Sequence, residues 1–166
     1  MPPMPPSATP RLQKSDPDRL RELVQRFVRS FGLLVTKETP CGQPVSPSYA
    51  HALMVLLERA REQAPTSQAT LGVTLGIDKS NVTRLCSRME AAGHVNQERA
   101  SDDGRSRLVS LTGSGKRLAQ RIEAASQDRF SRIVSALPRD ERSMVFGCLA
   151  ALNKAIETLD KPGEKR

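Results

Sequence analysis

Between residues 66 and 112 the spacing of apolar positions changes twice along one continuous stretch of chain. Leu71 and Leu75 stand one helical turn apart, Leu75-Gly76-Ile77 sets a turn glycine between two apolar anchors, and Val82, Leu85, Cys86 and Met89 resume a helical period. From Val95 the period falls to two. Val95, Gln97 and Arg99 alternate with Asn96 and Glu98, and Leu108, Val109 and Leu111 lie on a return strand beyond a polar tip. The pattern predicts a short helix from a cap at Thr66 or Ser67 to Leu75, a second helix capped by Asp78 and closed by Gly93, and a β-hairpin. Gly72, inside the first helix, costs on the order of 1 kcal/mol against alanine, which points to a close helix crossing at that position.

At 100° per residue the second helix has two unlike faces. Val82, Leu85, Cys86 and Met89 share one, and Ser80, Arg84, Ser87 and Arg88 share the other, with Asn81 and Thr83 on the flanks. A helix that packs on one side and keeps a polar side open is suited to the DNA major groove. A hairpin beside it, with Arg105 and Arg107 near its tip, can reach the neighbouring backbone or minor groove. The residues expected to touch DNA are Ser67 and Gln68 on the first helix, Lys79, Ser80, Asn81, Thr83, Arg84 and Arg88 on the second, and Asp103, Arg105 and Arg107 on the hairpin.

The flanks carry longer apolar stripes. Asp16-Pro17 reads as a cap followed by proline at the first helical position, opening a run with Leu20, Leu23, Val24, Phe27, Val28, Phe31, Leu34 and Val35. Ser46-Pro47 opens a helix to residue 60 with Ala50, Leu53, Met54, Leu56 and Leu57. Thr112 opens another with Leu118, Ile122, Phe130 and Ile133, ended or bent at Pro138, and a last helix over about 139–159 carries Met144, Val145, Cys148, Leu149, Leu152 and Ile156. These end helices either pack on the protein's own 46–60 helix or pair with the same helices of a second copy. The second arrangement is the expected one, because a small winged helix has too little surface to bury both ends.

Here the chain resembles the MarR family of winged-helix transcriptional regulators. The resemblance runs through Leu75-Gly76-Ile77, Ser80-Asn81-Val82-Thr83-Arg84-Leu85, Glu90-Ala91-Ala92-Gly93, the wing Asp102-Asp103-Gly104-Arg105 through Leu111-Thr112, and Gly115-Lys116-Arg117-Leu118. Three positions depart from the family pattern: His94 replaces an apolar residue, Gln97 a frequently basic one, and Gly104 a frequent arginine. The resemblance implies a mainly α-helical protein with a small β-hairpin wing. It also implies a homodimer on a pseudo-palindromic double-stranded DNA operator, acting as a repressor and released by a small aromatic or phenolic effector near Tyr49 and Leu53. The expected layout is a disordered proline-rich tail at 1–15, a domain at 16–160 and a flexible tail at 161–166. Within that domain the winged helix-turn-helix core covers about 46–112, and the dimerisation helices cover about 16–36 and 112–160.

Composition adjusts this picture. The net charge of +8 suits a polyanionic partner. Yet residues 66–111 hold six basic side chains against five acidic ones, so affinity must come from the placement of a few arginines and from two copies acting together. No apolar stretch approaches the ~18 residues of a membrane span, and the start Met1-Pro2-Pro3-Met4-Pro5-Pro6 lacks the layout of a signal peptide, so a bacterial-type cytoplasmic, nucleoid-associated protein is expected. Cys41, Cys86 and Cys148 share no metal-like spacing, and no phosphate loop or catalytic set is present, so neither a cofactor nor an enzymatic activity is expected. Two other readings stay open: a dimeric winged-helix adaptor for protein contact, and a thiol-based redox sensor acting through Cys41.

Overall fold

The computed structural model describes residues 15–35, 37–99 and 107–159. Six helices and one hairpin follow in the order α1 (Asp16–Phe31), α2 (Pro47–Arg61), α3 (Gln68–Leu75), α4 (Lys79–Ala91), β1 (Val95–Arg99), β2 (Arg107–Leu111), α5 (Gly113–Ala136) and α6 (Arg142–Leu159). This is a mainly α-helical winged-helix architecture, as the periodicity predicts.

Four helix starts are fixed by the side chains that the sequence places there. Ser46, Ser67, Asp78 and Thr112 each accept a backbone N–H from the first turn of α2, α3, α4 and α5, satisfying donors that a helix start otherwise leaves open. The first helix differs from expectation at both ends. Ser15 rather than Asp16 is its cap, with Pro17 still in the first turn. Gly32 follows Phe31 in the left-handed region at φ 84°, so the helix stops short of residue 36 and leaves Leu34 and Val35 beyond it. Two smaller shifts occur: Ala92 is the C-cap of α4, with Gly93 one residue outside at φ 71°, and α6 starts at Arg142 rather than near 139.

The core joins α2, α3, α4, the hairpin and the first half of α5. Leu53, Leu57, Leu71, Leu85, Met89, Val95 and Ile122 are its largest fully buried side chains. The crossing that Gly72 implies is present: a Cβ there would sit 3.3 Å from both the Ile77 carbonyl oxygen and Val82 Cγ1. Arg61 clamps α2 to α5 by pairing two nitrogens with the two Glu123 carboxylate oxygens, each at 2.7 Å.

The strands are antiparallel, with Val95 opposite Leu111 and Arg99 opposite Arg107. The far side of β2 is tied to the start of α3, where Val109 N–H donates to the Thr66 carbonyl at 2.8 Å and Ser67 bridges Leu108. The wing is therefore stitched into the helix-turn-helix.

The ends of the chain behave differently. The first half of α5 packs on α2 and buries Leu118, Ala119 and Ile122, whereas neither α1 nor α6 buries a single residue in the protomer. Leu23, Phe27, Phe130, Met144, Phe146 and Leu149 stay exposed. Among the described residues no helix is long and apolar enough to cross a membrane.

Candidate nucleic-acid interface

The second helix of the helix-turn-helix, α4, presents the two faces read from its sequence. Val82, Leu85, Cys86 and Met89 are buried, and Lys79, Ser80, Asn81, Thr83, Arg84, Ser87 and Arg88 are exposed. Its N-terminal turn is more ordered than periodicity can reveal. Asp78 Oδ1 accepts the Asn81 backbone N–H at 2.8 Å and the Ser80 hydroxyl at 2.9 Å, and Asp78 Oδ2 accepts the Asn81 amide. These bonds, the Asn81 backbone N–H first, hold the Asp78 carboxyl below its ordinary pKa, so the cap is ionised at neutral pH.

Asn81 then turns its amide oxygen outward, where the Arg84 guanidinium donates to it at 2.8 Å. A string from Asp78 through Asn81 to Arg84 thus aims the central arginine of the exposed face. The sequence shows the three residues three apart, but not that Asn81 braces Arg84 instead of standing free beside it. Arg84 lines two open grooves, one shared with Asn81, Thr83, Ser87 and Arg88 and the other with Lys79, Ser80 and Thr83.

The remaining expected contacts divide. Ser67 spends its hydroxyl oxygen on the Thr70 N–H at 3.0 Å as the α3 cap. Gln68 is half-buried and donates its amide to Gln97 on β1. Arg107 is exposed at the outer end of β2, directly opposite Arg99. Two like charges in cross-strand register repel, and a polyanion lying across them would relieve that cost. Asp103 and Arg105 lie outside the described residues.

A contact that the sequence does not signal joins α2 to the hairpin root. Tyr49 Oη and His94 Nδ1 lie 2.6 Å apart, and His94 is half-buried against α2. Burial holds the Tyr49 phenol above its usual pKa, with Arg88 partly opposing, and the phenol stays neutral. Histidine at a normally apolar position was the available clue, without its partner.

Away from the α4 face, a crevice of about 250 Å³ opens where α1, the loop after it, α2 and α5 meet. Phe31, Cys41, His51, Met54, Arg129 and Phe130 contribute to its lining. Arg129 lies over the Phe31 ring at 5.0 Å and donates to the Phe31 carbonyl at 3.1 Å, while its Nε is buried without a hydrogen-bond partner among the described residues. Leu53 is in the core and Tyr49 is engaged by His94, and this crevice lies over Ala50, His51 and Met54. Cys41 lies at this crevice with its sulfur 3.0 Å from the Thr39 hydroxyl. Cys86 is in the core, where burial and then Glu90 push its thiol up to about 11, and Cys148 is exposed on α6.

Known proteins resemble this arrangement. Residues 43–106 match the model of the MarR family. The chain is 29% identical over 87 residues to the HTH-type transcriptional regulator YfiV of Bacillus subtilis, a match covering 52% of this chain and 54% of that protein. It is likewise 29% identical over 83 residues to the HTH-type transcriptional regulator PapX of Escherichia coli, covering 50% and 51%. The chain therefore spans about half the length of these curated relatives. Over the whole fold it is similar to the crystal structure of the PcaV transcriptional regulator from Streptomyces coelicolor in complex with its natural ligand. That likeness has a TM-score of 0.60 and 25% identity, and it covers 90% of this chain and 99% of the other.

Proposed function

We propose, on the premise that this chain is a winged-helix protein of the MarR family, that it is a sequence-specific double-stranded DNA-binding transcriptional regulator. It acts as a homodimeric repressor on a pseudo-palindromic operator. The observation that carries this reading is the α4 face, where Ser80, Arg84 and Arg88 stand exposed opposite a fully apolar buried face. A helix used for protein contact would show apolar anchors there instead. YfiV and PapX are both named as transcriptional regulators, which supports the same reading.

Arg84 and Arg107 are expected to fail differently. Braced by Asn81 at the centre of the open face, Arg84 is placed to read base edges. Arg84→Ala should cost about 1 to 3 kcal/mol on the cognate duplex and relax sequence preference. Arg107→Ala should weaken cognate and scrambled duplexes evenly and flatten the salt dependence, as loss of a phosphate contact does. The measurement is selection of duplexes from a randomised library, followed by titration of both variants at several salt concentrations. If both variants bind every duplex like the wild type, the DNA reading fails and the protein-contact adaptor takes its place.

The crevice supports control by a small aromatic acid. It combines aromatic and aliphatic walls with an arginine whose Nε lacks an acceptor among the described residues, so a carboxylate would pair a buried donor and the ring would fill apolar space. Binding there would join α1 and α5 to the DNA-reading lobe and bias the spacing of two recognition helices. Among benzoate and hydroxybenzoate ligands, at least one is expected to raise the melting temperature of the wild type and to weaken its hold on the selected duplex. Arg129→Met should abolish both responses. A panel that shifts neither quantity counts against effector release.

A further inference from the structure

Gln97 carries a polar bridge that joins three elements of the reading lobe. The pairing of Gln97 with Val109 directs both backbone N–H groups away from the space between the strands. Val109 spends its N–H on the Thr66 carbonyl. Gln97 spends its own on Glu90 Oε1, at 3.2 Å, in the last turn of α4. The Gln97 side chain then donates to Glu90 Oε2 at 2.7 Å, so one carboxylate accepts both the main chain and the side chain of one residue.

The bridge continues in one direction. A carboxylate at position 90 can only accept, which turns the Gln97 amide nitrogen toward it and leaves the amide oxygen facing away. That oxygen accepts the amide of Gln68, the first residue of α3. Arginine or lysine at position 97 would satisfy Glu90 but could not accept from Gln68. A glutamine is the residue that does both.

From this geometry we propose that Gln97 is a positioning residue for DNA recognition. Through Glu90 and Gln68 it sets the splay between the recognition helix α4 and the wing, so that Arg84 and the Arg99–Arg107 end of the hairpin meet one duplex together. The proposal rests on the DNA-binding reading above. It also assigns Gln68 to holding the wing instead of reading bases. Glu90 lies in the last turn of α4, at the opposite end from the capped turn that carries Ser80 and beyond the mid-helix Arg84. The bridge therefore acts mainly on orientation, and it touches the contact face at one point, where the Thr83 hydroxyl donates to the Gln68 amide oxygen at 3.5 Å.

The test uses full-length protein and a duplex that the wild type selects from a randomised library. Gln97→Glu sets a second carboxylate against Glu90 and should open the bridge, costing about tenfold or more in affinity and lowering the salt slope by the wing's share. Gln97→Met, which removes the hydrogen bonds without adding charge, should lower the slope in the same way. The exchanged pair Glu90→Gln with Gln97→Glu keeps the original net charge and restores a donor facing an acceptor, with Gln68 still donating. It should return affinity and slope to near wild type. Melting temperatures identify a variant that fails to fold, and in that event the exchanged pair decides, since it rescues only if the bridge matters. The proposal is overturned if Gln97→Met and Gln97→Glu both bind with unchanged slope, or if the exchanged pair binds no better than Gln97→Glu. A wild type that selects no duplex overturns the DNA reading along with this inference, whereas unchanged variants beside a selective wild type overturn this inference alone.

Discussion

Gly115→Ala is expected to destabilise the protein by about 3 kcal/mol or more, the upper end of what overpacking costs. A Cβ at this position would stand 1.9 Å from the His94 carbonyl oxygen and 2.8 Å from its carbon, and both are backbone atoms that no rotamer change can move. The contact cannot relax by sliding, because the two segments are sewn together around it. Thr112 N–H donates to that same His94 oxygen at 3.0 Å, the Thr112 hydroxyl donates to the Gly93 carbonyl at 2.7 Å, and Gly115 N–H donates to the Thr112 hydroxyl oxygen at 3.0 Å. Moving α5 outward would break the cap of α5 and the root of the hairpin at once. Gly113→Ala is the matched control, since the nearest atom to a Cβ there is a flexible Arg117 nitrogen at 3.6 Å. Thermal and urea unfolding of the two variants should separate them clearly. A Gly115→Ala protein that melts like the Gly113→Ala protein would show that the approach of α5 to His94 is looser than the geometry states.

This contact also marks where the sequence stops being legible. Gly115 belongs to the stretch Gly115-Lys116-Arg117-Leu118 that carries the family resemblance, but nothing in one chain says that its missing Cβ makes room for the carbonyl of residue 94. The elements themselves were legible, because each helix of the lobe combines a 3.6-residue apolar period with a Ser, Thr or Asp at its start, and those caps formed as expected. At the first helix two adjacent residues, Ser15 and Asp16, both suit a cap, and pattern alone chose the wrong one. Its apolar stripe also runs on past Gly32, so the periodicity of Leu34 and Val35 concealed the stop. On the candidate DNA face, exposure of Arg84 and Arg88 was legible from helical spacing. Long-range polar pairs were not: Tyr49 with His94, and Gln68 with Gln97, are brought together by the fold across 45 and 29 positions. Hydrophobic periodicity reports which face is buried, and it carries no information about which polar tips meet. The wing contacts assigned to Asp103 and Arg105 fall outside the described residues.

A protein carrying both Phe27→Glu and Leu149→Glu is expected to be monomeric and to lose about a hundredfold or more in affinity for the selected duplex. In the protomer Phe27 is 50% exposed and Leu149 is 48% exposed, and neither belongs to the buried core, so charge at these positions leaves the reading lobe intact. Phe27 extends an aromatic row, stacking on Phe31 at 5.2 Å, which in turn lies 5.7 Å from Phe130 on α5. That row and the apolar stripe of α6 are surfaces of a kind that monomeric proteins seldom leave open to water. Burying each such side chain contributes about 1.5 to 3 kcal/mol, so several of them shared across a two-fold axis suffice for a stable dimer. On DNA, the second recognition helix of a dimer binds with the effective concentration set by the first, and a monomer forfeits that gain while keeping every contact in its half-site. Light scattering, combined with titration on full and half sites, measures both consequences. The double variant should match the wild type on a half-site and fall far behind it on the full site. A wild type that sediments as a monomer and still binds the full site tightly would remove the dimer from the mechanism, and the exposed faces of α1 and α6 would then need a different partner.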